Sequence, residues 1–434
     1  MFFGEYEFPD KVTKLPHYDE FLSLAEKMIS DRPDPTSDYF IISVDIYNFK
    51  IINQLYGYPK GDELLRSFTL HAIKNNSYCL LACRPYSDHF YGICAIPKKL
   101  HADPGMVLMD YINDFINANQ PFFPSIVLHM NCGICNFADS QGIVDCIDKA
   151  NIARRSIKRD NGTAYSNYSN DMLVSKEQDA AVTTAFLHAL EHNSIKVCLQ
   201  PKVDSKTHKL IGAEALSRIP LEDGSLLPPG LYVPILEKSS NILKLDWYMI
   251  HSVFSLISGW LRRGITPVPI SINLSKLHFY SDGFAHNVYN AFCEYNIPAD
   301  YIEFEITESL FEKNSYIMKE LEILRSYGFK ISMDDFGTGY STLHMLGTLP
   351  IDIVKFDRLL VHSSMSSKKS LDILKGLMTI FKDIDLSVIC EGVETEEEEE
   401  VVNRCGCCSI QGFLYDKPIC INDFEGKYMA FAGA

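Results

Sequence analysis

The chain contains 434 residues, which is enough for two or three domains with their own cores. Its hydrophobic fraction of 47% and charged fraction of 22% are typical of a globular protein and argue against wholesale disorder. The net charge of −16 argues against a protein that holds long nucleic acid by neutralising its phosphates, but it allows a small anionic ligand held by metal ions at one site.

Three sequence features favour a protein of the cytosol. The N-terminal MFFGEYEFPD contains acids and a proline where a signal peptide needs a basic start and a longer apolar core. No run of 18 or more apolar residues occurs, so we expect no membrane-spanning segment. The 13 cysteines are odd in number and scattered through apolar segments, which is typical of reduced thiols. We expect a cytoplasmic protein, or the cytosolic part of a longer one.

Two groups of cysteines have spacings found in metal or redox motifs. Cys132 and Cys135 form C-x-x-C, but the surrounding VLHMNCGIC predicts a strand, on which residues three apart face opposite sides. Cys405, Cys407 and Cys408 have no second pair of ligands at zinc spacing. We predict that both groups are structural.

The first 170 residues alternate predicted strands and helices. A turn leads into a helix near Asp10 to Phe21, and a helical stretch punctuated by Gly57 and Gly61 follows Asn48. Strands are predicted at 39–45, 80–84, 90–96 and 125–135, with the middle two as a hairpin, and helices at 104–119 and 143–158. The pattern predicts an α/β domain.

The residues of this region resemble the GGDEF (diguanylate cyclase) family over about 160 residues. The matching stretches are DKVTKLP from Asp10, DIYNFKIINQLYGYPKGDELL from Asp45, and ANIARRSIK from Ala150. The signature hairpin departs from the family: where the family has Gly-Gly-Asp/Glu-Glu-Phe, this chain has Tyr86-Ser87-Asp88-His89-Phe90. Tyr86 adds bulk and restricts φ, and His89 is a poor magnesium ligand. We therefore expect a degenerate domain without cyclase activity.

The resemblance also implies a nucleotide site in this domain. It assigns a metal-binding acid to Asp45, guanine contacts to Asn53 and Asp62, and a phosphate contact to Lys158. One hypothesis is that the domain binds GTP and regulates its neighbour. The alternative is a vestigial domain kept for folding or dimerisation.

The rest of the chain predicts a linker and a second domain. NGTAYSNYSN, residues 161–170, is polar and turn-rich, and residues 175–192 have helical spacing. Eight short apolar strands then alternate with helical segments, which fits a (β/α)₈ barrel. The predicted strands are 196–203, 212–217, 269–274, 301–307, 330–334, 351–356, 386–390 and 409–414. The predicted domains are 1–170, a linker helix at 171–192, and 193–434.

Polar residues lie near the ends of the predicted barrel strands. Each of them alone could be a solvated or capping residue, but catalytic groups of a barrel gather at the C-terminal ends of its strands, so the whole set indicates a site. The set comprises Glu214, Arg218, Asn273, Glu305, Glu308, Asp334, Asp335, Lys355, Asp357, Glu391, Glu394 and Gln411. We separate from it the acids Glu396 to Glu400, which we interpret as the solvated first turn of a helix capped by Thr395.

The chemistry of this set predicts a metal-dependent phosphoesterase. Oxygen ligands and an amide, without cysteine or histidine, favour Mg²⁺ or Mn²⁺ over zinc. Several carboxylates in one barrel mouth would repel each other without cations between them. Two cations about 3.5–4 Å apart can neutralise a phosphodiester and activate water, and Lys355 and Arg218 would add positive charge for the phosphate oxygens.

The same region closely resembles the EAL family of cyclic di-GMP phosphodiesterases over about 240 residues. The matching stretches, in order, are LQPKVD, EALSR, SINLS, EITES, DDFGTGYS, KFD, EGVE and QGF, followed by Pro418. The resemblance implies a modified barrel whose first strand is antiparallel to the rest. It also implies hydrolysis of cyclic di-GMP to linear pGpG with two Mg²⁺ or Mn²⁺ ions.

The resemblance assigns roles residue by residue. The implied ligands of the first metal are Glu214, Asn273, Glu305 and Asp334, with Asp335 serving the second metal. Lys355 would hold or polarise the attacking water, and Glu391 would act as base or as a further metal-site carboxylate. We expect Glu214 and Lys355 to sit at a solvent-facing mouth, so that their replacement leaves the fold intact. Glu308 would brace the loop after Asp335, Gln411 would order the water and metal network, and Gln200 and Arg218 would contact the substrate.

Two readings remain open at this point. The preferred one is an enzyme with a degenerate, GTP-sensing domain before it. The other is a module that captures cyclic di-GMP and signals with little turnover. The resemblance further implies a homodimer through the barrel.

Overall fold

The computed structural model describes residues 6–7, 9–30, 34–100, 103–157, 162–280, 282–308, 315–337 and 346–429. Contacts divide the chain into two compact units, Met1–Gln178 and Asp179–Ala434. The division lies within helix α6 (Asn170–Glu191), which covers most of the predicted linker helix and begins five residues before the predicted helical spacing.

The N-terminal unit is built on a five-stranded sheet. Its strands are β1 (Ser37–Ile46), β2 (Cys79–Tyr86), β3 (His89–Pro97), β4 (Met130–Asn136) and β5 (Ala164–Asn167), in the order β2-β3-β1-β4-β5. β1 pairs antiparallel with β3 and β4, and β5 joins β4 in parallel. Its helices before α6 are α1 (Tyr18–Ser30), α2 (Phe49–Tyr56), α3 (Tyr58–Phe68), α4 (Pro104–Asn119) and α5 (Ile143–Ser156).

The sheet has an apolar core on each face. Cys132 packs with one core and Cys135 with the other, as expected for residues three apart on a strand. All 13 cysteines are free thiols.

Two segments differ from the sequence prediction. The predicted strand at 125–135 begins at Met130, because the Gln120 side chain binds the preceding backbone: it donates to Ile126 O (2.7 Å) and accepts from Leu128 N (2.8 Å). Part of the predicted turn-rich exit is instead β5. Tyr165 anchors that strand, since its hydroxyl donates to Asp103 Oδ2 at 2.7 Å.

The predicted hairpin is present, with Ser87 and Asp88 as its two-residue turn. Tyr86 pairs with His89, and their rings lie 4.6 Å apart. Ser87 has φ +49°, a left-handed conformation that costs a side-chain-bearing residue more than glycine. The Arg84 Nε donates to Ser87 O at 2.5 Å and holds the turn.

The C-terminal unit is a closed eight-stranded barrel. Its strands are β6 (Lys196–Asp204), β7 (Lys209–Pro220), β9 (Ile270–Asn273), β10 (Ile302–Thr307), β11 (Lys330–Phe336), β12 (Ile353–Phe356), β13 (Ser387–Glu391) and β14 (Ser409–Gln411). β6 is antiparallel to both neighbours, β7 and β14, and the other contacts are parallel. The predicted barrel with an antiparallel first strand is confirmed. Two further strands have two residues each: β8 (Leu226–Leu227) pairs antiparallel with β7, and β15 (Ile419–Cys420) pairs antiparallel with β6.

Helices surround the barrel and cover its apolar strands. They are α7 (Pro229–Lys238), α8 (Ile242–Arg262), α9 (Phe284–Cys293), α10 (Ser315–Ser326), α11 (Arg358–Ser364), α12 (Lys368–Asp383), α13 (Glu396–Cys405) and α14 (Ile421–Tyr428). Among the described residues, no helix is both long and apolar enough to cross a membrane.

The acidic run starts helix α13, as predicted. Thr395 accepts from Glu398 N at 3.2 Å, and the Glu398 carboxylate accepts from the Thr395 and Glu394 amides. Glu398 is therefore buried, so the interpretation of all five acids as solvated is wrong at this residue.

Candidate active site in the barrel

The parallel strands bring the predicted polar residues to one end of the barrel. Six of the parallel strands supply one residue at or near their C-terminal ends, because neighbouring parallel strands end at the same edge. The seventh residue, Glu214, lies in the middle of β7 opposite Ser271 of β9. In barrel order these residues are Glu214 (β7), Asn273 (β9), Glu305 (β10), Asp334 (β11), Lys355 (β12), Glu391 (β13) and Gln411 (β14).

Lys355 lies at the centre of the site. Its Nζ lies 2.6 Å from Glu391, 2.8 Å from Glu305, 3.2 Å from Asp334 and 3.6 Å from Glu214. Lys355 is only 1% exposed and Glu214 only 7% exposed, so the expectation that both sit at a solvent-facing mouth is wrong. One buried ammonium therefore holds carboxylates from four strands.

A second buried ammonium, that of Lys202, shares Glu305 with Lys355. Lys202 on β6 lies 2.9 Å from Glu305 and 3.0 Å from Glu303, and it donates to Ser271 Oγ at 2.8 Å. Lys202 is not among the residues predicted for the site. Its signal was the alternation of β6, which places Lys202 on the same inward face as Gln200.

The acids of the cluster have perturbed pKa values. Burial, opposed by Lys355 and reinforced by neighbouring carboxylates, raises the pKa of Glu391 to about 8. Burial is also the main cause of the raised pKa values of Glu214 and Asp334. At Glu305 burial is outweighed by Lys202 and Lys355, which hold its pKa at about 2. The cluster thus has more negative charge than its two lysines balance.

Asp335 interrupts strand β11. Its φ of +58° is a strained conformation for a residue with a side chain, and the pairing with β12 shifts register between Met333 and Phe336. The sequence pattern gave no sign of this bulge. Two residues later, the Gly337 amide donates to Glu308 Oε2 at 3.1 Å, which is the contact expected of a residue that braces this loop.

Two glutamines connect β6 and β14 beside the cluster. Gln411 Nε2 donates to Glu214 Oε2 (2.5 Å) and to Gln200 Oε1 (3.2 Å). The buried Gln411 Oε1 has no hydrogen-bond partner among the described residues. Arg218 lies four residues beyond Glu214 on β7, is half-buried, and donates to Ser217 O at 2.7 Å.

Two residues of the predicted set have structural roles instead. Asp357 caps helix α11 by accepting from Leu359 N at 2.7 Å. Glu394 forms an ion pair with Arg358 at 2.8 Å. Position after a strand did not distinguish these residues from the central cluster.

The oxygen ligands of this site are of the chemical type that binds a divalent cation such as Mg²⁺ or Mn²⁺. The site offers carboxylates and the Asn273 amide, whose nitrogen donates to Glu214 Oε1 at 2.7 Å, and its excess negative charge would be relieved by added cations. Across the described residues, however, no three histidine, cysteine, aspartate or glutamate side chains are arranged to hold a metal ion. The acids converge on the Lys355 ammonium rather than on a common empty point.

The N-terminal unit contains a separate cavity of about 910 Å³ between the end of β1, helix α2, the hairpin turn and the end of α5. Asp45 and Asn53 line it, as the predicted nucleotide site requires. Asp62, on α3, is not among the described lining residues. Lys158 lies outside the described residues.

Arg154 also lines this cavity and is not among the residues predicted for it. Its guanidinium binds the Asp45 carboxylate and donates to Ser43 Oγ at 3.0 Å. The signal was a charged residue on the apolar face of α5, one residue after Ala153 and four after Ala150, both fully buried.

A family model for the EAL domain matches residues 183–418, more than half of the chain. The chain belongs to the EAL domain family. A second model, described as the diguanylate cyclase GGDEF domain, matches residues 8–163 and precedes the EAL domain.

Curated relatives share both regions. The chain is 27% identical over 412 residues to the bifunctional diguanylate cyclase/cyclic di-GMP phosphodiesterase MucR of Pseudomonas aeruginosa, covering 94% of this chain and 60% of MucR. It is 30% identical over 281 residues to the oxygen sensor protein DosP of Escherichia coli, covering 64% of this chain and 35% of DosP. The chain thus spans less than two thirds of the length of these relatives.

Solved structures match the EAL domain. The PaMucR phosphodiesterase in complex with c-di-GMP is 31% identical with a TM-score of 0.53, covering 56% of this chain and 99% of that one. An EAL domain protein from Listeria monocytogenes EGD-e is 28% identical with a TM-score of 0.51, covering 57% and 97%. These likenesses agree with the barrel described above.

Proposed function

We propose that the EAL domain hydrolyses cyclic di-GMP to linear pGpG with two divalent cations, Mg²⁺ or Mn²⁺. The observation that carries this proposal is the gathering of four carboxylates from four strands in one site, together with the Asn273 amide. The likeness to a phosphodiesterase structure that contains c-di-GMP supports the choice of substrate.

The side chains of the chain have distinct tasks in this reaction. Glu214, Asn273, Glu305 and Asp334 would hold one cation, and Asp335 would help to hold the other. When bound, the cations neutralise the phosphodiester and make water a stronger nucleophile. Lys355 Nζ orients the attacking water and offsets charge that develops on the phosphate oxygens, and Glu391, 2.6 Å from that atom, accepts the proton of the water.

Other residues hold this arrangement and the substrate. Gln411 fixes Glu214 through its 2.5 Å hydrogen bond, and Glu308 holds the amide of Gly337. Arg218 and Gln200 contact the nucleotide.

We further propose that two copies of the chain associate through the EAL domain. We also propose that the reaction takes place in the cytoplasm, which the free thiols support.

The test is turnover of cyclic di-GMP by the full chain in Mg²⁺ and in Mn²⁺, followed as pGpG by chromatography. We expect pGpG with the native chain and with Glu322→Gln, a control on the exposed face of α10. Glu214→Gln keeps the side-chain volume but removes the charge, and we expect it to lower turnover by about 10²–10³-fold.

A receptor with little turnover is the second candidate. The position of the Lys355 ammonium among the acids favours it, because the lysine occupies the centre where cations would be needed. Cyclic di-GMP that binds but stays intact for hours in both metals would establish this alternative and exclude the enzyme.

We also propose that the GGDEF domain has no cyclase activity, binds GTP and regulates the EAL domain. The cavity between Asp45, Asn53 and the hairpin turn supports GTP binding, and the turn sequence Tyr86-Ser87-Asp88-His89 supports the loss of cyclase activity. Calorimetric titration of the full chain with GTP tests the binding. The absence of heat at millimolar GTP would leave a domain kept for folding or dimerisation.

A further inference from the structure

The described residues that line the GGDEF-domain cavity have a net positive charge, whereas the chain as a whole is acidic. Three cationic side chains, Lys50, Arg154 and Arg155, and two carboxylates, Asp45 and Asp88, are among its described lining residues. The chain as a whole has a net charge of −16. A cavity with an excess of positive charge in an acidic protein favours an anionic ligand.

Arg154 is built into the wall of the cavity. The side chain is buried, and its guanidinium bridges Asp45 and Ser43. A guanidinium stays protonated in proteins at neutral pH. The charge is therefore a fixed part of the fold.

Close packing of α5 on the sheet sets the position of this guanidinium. Gly133 on β4 lies against the backbone of α5, and a Cβ at Gly133 would collide with Ala150 O and Arg154 N. The lack of a side chain at Gly133 lets the helix approach the strand. Arg154 can then reach Asp45 on the neighbouring strand β1.

The same wall does not fit a divalent cation. The resemblance to the GGDEF family implies a metal-binding role for Asp45, but its carboxylate is already bound by the Arg154 guanidinium, which would repel a dication at that position. Asp88 also has other partners: its Oδ2 accepts from Ile46 N at 3.2 Å. The structure therefore disagrees with a metal centred on Asp45.

We propose that Arg154 replaces a divalent cation in this domain, so that the cavity binds the phosphate groups of GTP without Mg²⁺. The inference rests on the proposed GTP binding and adds its electrostatic basis. A guanidinium neutralises phosphate charge through paired N–H donors. Unlike a metal ion, it does not activate a hydroxyl by coordination. The cavity would thus retain nucleotide binding without turnover, which is what a regulatory site requires.

The experiment is titration of the full chain with GTP, in excess EDTA and in excess Mg²⁺. For the native chain we expect the dissociation constants for GTP in the two media to agree within about threefold, because the proposed site does not use the ion. A tenfold difference would correspond to about 1.4 kcal/mol. We expect Arg154→Leu to weaken GTP binding in EDTA at least tenfold and Mg²⁺ to restore it, because Asp45 is then free to hold the ion. Arg66→Leu, an exposed arginine on α3, should bind GTP like the native chain in both media.

The outcomes separate this inference from the proposed function. Native binding that EDTA abolishes and Mg²⁺ restores would overturn the role of Arg154 but leave GTP binding intact. Unchanged binding by Arg154→Leu in EDTA would also overturn it. If Arg154→Leu does not fold, Arg154→Lys provides a second test. This variant keeps the positive charge, and we expect it to bind GTP equally well in EDTA and in Mg²⁺. The absence of GTP binding under all conditions would overturn both proposals for this domain, whereas hydrolysis of cyclic di-GMP is measured independently.

Discussion

At the scale of single residues, Lys355 decides how the acids of the EAL domain coexist. The Lys355 ammonium lies within 3.6 Å of four carboxylates and is buried. Burial opposes its charge, but the carboxylates raise the pKa of Lys355 well above its ordinary value. The lysine is therefore both a proposed catalytic group and a structural counter-ion.

The variant Lys355→Met tests both roles. We expect turnover to fall by about 10²–10³-fold. We also expect the free energy of unfolding to fall by about 3–5 kcal/mol, because removal of one partner leaves buried acids uncompensated. Urea unfolding and pGpG production measure the two effects. Lys375→Met, an exposed lysine on α12, is the control and should change neither. Native turnover in Lys355→Met would show that its catalytic role is wrongly assigned.

Residue types were predicted better from the sequence than residue contacts. The acids Glu214, Glu305, Asp334 and Glu391 could be named because each is a charged residue in or at the end of an apolar strand. Their convergence on one buried lysine could not, since the strand pattern carries no information about depth along the barrel axis. Arg154 was missed for a related reason: only the packing of α5 shows that its guanidinium reaches Asp45.

At the scale of elements, helices α8 and α14 are connected by a buried carboxylate. Glu425 on α14 accepts from Trp260 Nε1 at 2.6 Å and from Arg263, which follows α8, at 2.5 and 2.8 Å. The hydrogen bond from Arg263 is the main cause of the lowered pKa of Glu425. The ionised form of Glu425 therefore stabilises the folded state.

We expect Glu425→Gln to lower the free energy of unfolding at neutral pH by about 1–3 kcal/mol, toward the lower end because Arg263 is half-exposed and screened. A lowered folded-state pKa contributes stability above the ordinary value of 4.5, and this contribution is lost as pH falls through the folded-state pKa. The difference between variant and native chain should shrink in acid. Urea unfolding across pH measures it, with the exposed Glu400→Gln as control. A difference that grows in acid would contradict the assignment.

Most barrel elements could be predicted from periodicity, because buried parallel strands form short apolar runs between helical segments. Two predicted segments were wrong because local side-chain contacts set the strand boundaries there. Gln120 binds the backbone before Met130 and shortens β4, and Tyr165 anchors a polar segment as β5. Such contacts depend on residues distant in the fold, so a single-sequence pattern does not contain them.

At the scale of the whole molecule, the chain contains two units with separate cores and separate proposed ligands. A ligand stabilises the unit that binds it, by about 2.7 kcal/mol at a concentration 100 times its dissociation constant. We expect calorimetry in EDTA to show two unfolding transitions. GTP should raise the temperature of one and cyclic di-GMP that of the other. A single transition raised by both ligands would show that the two units unfold as one.

The antiparallel strand β6 has a consequence for synthesis of the chain. β6 can pair with β7 as soon as both leave the ribosome, but its other neighbour, β14, is made roughly 200 residues later. Until then β6 exposes an unpaired edge, which invites pairing with other chains. The barrel can therefore close between Asp204 and Ser409 only after β14 has been made, and nascent chains that stall before β14 should be the ones that chaperones retain.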